Sequence, residues 1–103
     1  MALQKFETIN GKRIKCYDSG GNEGFDRYTV VYLDREEWGY TPEYIRQRNL
    51  DLYPCVGMND MPFFPTGICQ HSDCVIGSHL GKRIMFVSLP PDCRKVVEQD
   101  CSE

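Results

Sequence analysis

The segment from Asp26 to Leu33, DRYTVVYL, constrains this chain more than any other. Tyr28, Val30 and Tyr32 alternate with Thr29, Val31 and Leu33, and β-branched and aromatic side chains of this kind suit a pleated strand. Both sets are apolar enough to require cover, so the strand belongs in a sheet interior with something packed on each side. A chain of 103 residues provides one domain in which to arrange this.

The preceding segment, Lys12 to Asp18, also alternates: Ile14 and Cys16 point one way, and Arg13, Lys15 and Tyr17 the other. It reads as a half-buried strand near a sheet edge, where positive charge discourages pairing with another chain. The two strands are expected to pair antiparallel across Ser19 to Gly24, SGGNEG, whose three glycines permit positive φ. That loop lacks the Lys-Ser/Thr pair and the strand–GxGxxG–helix context of a phosphate cradle, so it is read as a hairpin connection. Residues 1–11 are a lead-in ending in the turn dipeptide Asn10-Gly11.

After Asp34 to Gly39, which carries Trp38 out of the sheet, Thr41-Pro42-Glu43 starts a helix. Thr caps, Pro takes the first position and Glu faces the positive end of the dipole. The helix runs to Asn49 and needs the sheet to persist. Leu52 to Met58 returns as a strand that Pro54 confines to an edge or to its own beginning. Val75 to Leu80 reads as a connection and Ile84 to Val87 as a short buried strand. Leu89 to Cys101 closes the chain as a helix with Leu89, Cys93, Val96, Val97 and Cys101 on one stripe. The expected fold is α+β: about four antiparallel strands, strongly twisted towards a half-barrel, packed by the C-terminal helix and one short helix.

Between the last strands lies Val56 to Cys74, VGMNDMPFFPTGICQHSDC, which concentrates the chemistry of the chain. Met58, Met61, Phe63 and Phe64 are set among Asn59, Asp60, Pro62 and Pro65. The prolines limit the entropy of an ordered loop, and Met and aromatic side chains are favoured at interfaces. The expectation is a contact surface made of Met58, Met61, Phe63, Phe64, Gln70 and His71, extended by Trp38 and Tyr40. Its partner is another protein or a second copy of the chain.

Cys69-x-His71-x2-Cys74-x4-His79, with Asp73 alongside, is the alternative: a zinc-stabilised domain. Its weakness is that all four donors come from one loop, whereas structural zinc staples separated knuckles. Cys69 or Cys74 with His71 or His79 is also the stuff of a thiolate–imidazole pair, but adjacency in sequence supplies none of the positive charge that lowers a thiol pKa. The acidic run Asp34, Glu36 and Glu37 reads as a solvated turn, so no catalytic residue is assigned.

A net charge of −3 argues against a general nucleic-acid binder, leaving single-strand stacking on exposed aromatics as a minor reading. No apolar run approaches the roughly 20 residues of a membrane span, and the N-terminal MALQKFETINGKR has no signal-peptide core. The chain is therefore expected in the cytoplasm. Its six cysteines then stay reduced and act first as small buried hydrophobes, with no cofactor.

Three pieces together, GFDRYTVVYL, CVGMNDMPFFPTGICQH and HLGKRIMFVSLPPDCRKVV, resemble a group of small uncharacterised bacterial proteins often carried by phages, plasmids and other mobile elements. That group is similar in having a DRYTVV strand, a GMS-x-x-P-x-x-P-x-G segment and an LGKR…LP segment leading into a final helix. The likeness spans residues 24–98, with Asn59 where Ser is common. It implies a self-contained adaptor or inhibitor linked to mobile DNA and carries over no catalytic residue.

Overall fold

The computed structural model describes residues 4–20 and 26–102. Within these, β1 (Glu7–Ile9), β2 (Lys12–Asp18), β3 (Tyr28–Tyr32), β4 (Leu52–Met58), β5 (Cys69–Val75) and β6 (Lys82–Ile84) form a single antiparallel sheet of six strands. Two helices, α1 (Pro42–Arg48) and α2 (Pro91–Cys101), make the class α+β, as expected from the sequence. The sheet is open, with order β1-β2-β3-β4-β5, and β6 lies on β2 beyond the end of β1. The expected SGGNEG loop lies mostly outside the described residues.

β3 takes the interior place its pattern demands, between β2 and β4. On one face Ile14, Cys16, Val30, Tyr32, Val56 and Met58 pack against the α2 stripe. Leu89, Cys93, Val96, Val97 and Cys101 are all buried there, and an 11-residue helix depends on such docking for its stability. On the other face Val31, Tyr17 and Cys55 are covered by Leu80, with Ile76 and Leu33 around them. The second cover is thus the segment after β5; α1 contributes a buried Ile45 that belongs to neither cluster. Thr41 caps α1, its hydroxyl accepting from the Tyr44 N–H at 3.1 Å.

Four expectations need correction. β2 lies next to the edge, as expected, but its positive charges guard no open side: β3 pairs one side, and β1 and β6 together occupy the other. β1 escapes the pattern because three residues show a single alternation, yet Asn10 and Gly11, at φ 52° and 83°, form the two-residue turn that closes an antiparallel hairpin. β5 replaces what reads as loop, since CQHSDCV has no apolar alternation and is drawn into the sheet by its register with β4. Finally, β6 stops at Ile84. Phe86 turns inward while Met85 and Val87 are exposed, so IMFV is not a buried strand.

Pro54 obeys its constraint in an instructive way. It sits third in β4 opposite Asp73, and the pairing of β4 with β3 begins one residue later, at Cys55. In that register Tyr32, the last residue of β3, stands opposite Pro54, and without the Pro54 N–H the β3–β4 ladder stops one pair short.

Met58 is the fifth correction. Sharing the face of Val56, it is fully buried beneath α2 and cannot belong to a contact surface. Truncation to Ala at Met58 should cost about 2–5 kcal/mol, whereas Met61→Ala should stay within about 0.5 kcal/mol; urea midpoints at unchanged slope measure both.

Candidate functional site

The loop 59–68 joins β4 to β5, and its shape is fixed by a few bonds. The Asn59 side-chain oxygen accepts from the N–H of Met61 at 3.0 Å and of Ile68 at 3.1 Å, tying both ends of the loop to one group. Two turns follow in succession, Phe64 N–H to Met61 carbonyl at 3.2 Å and Gly67 N–H to Phe64 carbonyl at 2.8 Å. Any Cβ at Gly67 would overlap the Met61 carbonyl oxygen, so the second turn closes only around glycine. Pro62 is buried, and the Cys93 thiol donates to the Asn59 carbonyl at 3.1 Å, anchoring the loop to α2.

On this frame Met61, Phe63 and Phe64 face outwards, 47%, 53% and 56% exposed. The rings do not roof the sheet.

Trp38 and Tyr40 lie elsewhere. They line a cleft of about 280 Å³ with Tyr32, Pro54, His71 and Asp73, some four residues down β4 from the loop, or roughly 13 Å at a strand's rise. They therefore do not extend the Met61–Phe64 patch. Trp38 stacks on Tyr32 with centroids 4.1 Å apart, and Tyr40 donates its hydroxyl to Asp73 at 3.3 Å. Gln70 is exposed, but strand alternation puts it on the face opposite His71.

A link that sequence reasoning missed runs through this cleft. The Tyr32 hydroxyl donates to Asp100 Oδ2 at 2.5 Å, and His71 Nε2 meets the same oxygen at 2.8 Å. Burial, then the carboxylate, push the Tyr32 phenol far above its usual range, so it remains a donor. A carboxylate in the last turn of a helix faces the negative end of the dipole, and these two donors offset that. The signal was in the spacing: Asp100 stands three and four residues after Val97 and Val96 and shares their face.

The Cys/His set is divided by the strand itself. Cys69 and His71 share one face of β5 and Cys74 takes the other, while His79 lies in a separate 3-10 turn at Ser78–Leu80. His71 is turned to Asp100, and Cys74 packs beside Cys55, whose neighbouring thiol, together with burial, raises that of Cys74. Cys69 is exposed, yet partial burial and then the neighbouring carboxylates Asp100 and Asp26 raise its thiol too. Burial pushes Cys16 and Cys93 up to about 12 and Cys101 to about 11, in keeping with thiols that only pack. Among the described residues no three His, Cys, Asp or Glu side chains gather as a metal site.

Of the acidic run, Asp34 accepts from Arg13 at 2.6 Å, and that bond holds its carboxyl below the usual range. Glu36 and Glu37 are exposed. A depression of about 730 Å³ between Arg13, Asp34, Arg35 and Ile45 has polar walls in which Arg13 pairs with Asp34, with the exposed Glu36 and Glu37 also lining it. Arg35 donates to the carbonyls of Leu50 and Leu52, both at 2.9 Å. Among the described residues no helix is long and apolar enough to cross a membrane.

Comparison with known protein families, with curated proteins and with solved structures gave no match.

Two measurements follow from this geometry. Tyr32→Phe should cost about 1–3 kcal/mol, because a buried donor to a carboxylate is lost, while His71→Ala, at the solvent, should cost under about 1 kcal/mol in the same denaturation series. In the folded protein Cys69 should alkylate first, at a rate still climbing above neutral pH, whereas Cys16, Cys93 and Cys101 label only in denaturant; peptide mapping reads the order.

Proposed function

We propose that this chain is a non-catalytic protein-binding module, an adaptor or inhibitor, that inserts Met61, Phe63 and Phe64 into an apolar groove on a partner protein. The supporting observation is the exposure of three neighbouring apolar side chains on a loop whose backbone is already bonded into shape. A preformed loop loses little conformational freedom on binding, so more of the contact energy survives as affinity. Large apolar side chains grouped at the surface mark interaction sites in soluble proteins. The resemblance to small proteins of mobile elements supports the same role, since adaptors and inhibitors are common in that setting.

The remainder of the surface offers less. The other exposed large hydrophobics, Phe6, Leu50, Met85 and Val87, fall outside this loop, and in the cleft Tyr32 and His71 bond to Asp100 and Tyr40 to Asp73, while the Trp38 indole N–H has no partner.

The test is affinity capture from the host cell with tagged protein, followed by Kd measurement on the captured partner. Phe63→Ser with Phe64→Ser should weaken binding by about tenfold or more, the size expected of a central anchor, at an unchanged melting temperature. Val87→Ser should leave the Kd unaltered. A partner held equally well by the double variant would place the contact elsewhere and end this reading.

A further inference from the structure

The two margins of the sheet are built differently. One consists of β1 and β6, three residues each, with Glu7 on the first and Lys82 and Arg83 on the second. Short, charged strands are the usual protection of a sheet edge. The other margin is β5, seven residues long, with neither Lys nor Pro, and no described segment pairs with its outer side.

Register shows which of its backbone groups are open. Pro54 faces Asp73 and has no N–H, so that pair cannot exchange hydrogen bonds. The N–H of Asn59 donates to the Ile68 carbonyl at 3.2 Å, fixing the opposite phase of the ladder. Because bonded and non-bonded pairs alternate in antiparallel sheets, Gln70, Ser72 and Cys74 bond inwards to β4. Cys69, His71, Asp73 and Val75 then direct their N–H and C=O groups outwards.

We propose that a second copy of the chain covers this edge, its β5 pairing antiparallel with β5 about a two-fold axis at Ser72. In this register Cys69 faces Val75 of the second copy and His71 faces Asp73 of the second copy, and all four outward residues of each copy form bonded pairs. Moving the axis to His71 would set imidazole against imidazole and strand one pair. Moving it to Asp73 would set carboxylate against carboxylate. Only the Ser72 axis satisfies every outward group and gives complementary side chains, which is the self-complementarity an isologous contact requires. Both side chains have capacity to spare: His71 uses Nε2 for Asp100 and Asp73 uses Oδ2 for Tyr40. The inference rests on the strand edge and is independent of the loop proposed to bind a partner protein.

Sedimentation equilibrium over a concentration series tests it. The wild-type chain should dimerise reversibly; His71→Asp alone should weaken the dimer by about tenfold or more by setting carboxylate against carboxylate, and Asp73→Lys alone should weaken it by removing the carboxylate that faces His71. An equal mixture of the two variants should regain wild-type association, because each new charge then faces its opposite. Phe63→Ser with Phe64→Ser should dimerise normally. A wild-type chain that stays monomeric throughout the series, a mixture that shows no recovery, or a dimer lost only in the double Phe variant would each overturn the proposal.

Discussion

β5 has almost nothing of its own to bury. Most of its residues are polar or small, and five of the seven are exposed, so the usual reason for a strand to join a sheet is largely missing. What holds it is a full ladder with β4 and two side-chain ties, His71 to Asp100 on α2 and Asp73 to Tyr40. The loop before it, the cleft beside it and the open backbone along it all owe their positions to that arrangement. A backbone ladder contributes modestly per bond once water is counted, so the strand is kept in place by cooperation with its neighbours.

The rest of the molecule supplies the rigidity that β5 borrows. β3 is sealed on both faces, and α2 spreads a five-residue apolar stripe over one of them. Tyr32 connects these layers: its ring lies under Trp38 and its hydroxyl reaches Asp100, so the same carboxylate that receives β5 through His71 is fixed to the core. Asn59 plays the corresponding part at the entry to β5, bonded within the loop by its side chain and to α2 through Cys93. The entry to β5 and its third residue are thus referred to the two ends of one helix. This is how a strand with so little apolar content can present a defined edge and a defined apolar loop to the solvent.

Those parts of the fold written in periodicity were legible in the sequence. The faces of β3, the buried stripe of α2, the Thr41-Pro42 helix start and the pairing of β2 with β3 all follow from alternation, helical spacing or cap chemistry. β1, β5 and β6 were not, because strands of three residues carry too little pattern and a polar edge strand carries none. Met58 was grouped with Met61 by residue type, whereas strand parity with Val56 decides its burial. The contact surface with Phe63 and Phe64 was expected from the interface preference of Met and aromatic side chains, but the tie through Asn59 that holds its loop is geometry that side-chain chemistry alone does not reveal. The Cys/His cluster shows the reverse: donors that look convergent in one dimension are separated once alternation sends Cys74 to the far face.

Residue-resolved amide exchange along β5, at high dilution and then at high concentration, tests the central claim most directly. The account predicts alternation at dilution, with Gln70, Ser72 and Cys74 protected and Cys69, His71, Asp73 and Val75 open, and protection of all seven when the protein is concentrated. Uniform protection at every dilution, or uniformly rapid exchange at every concentration, would contradict it.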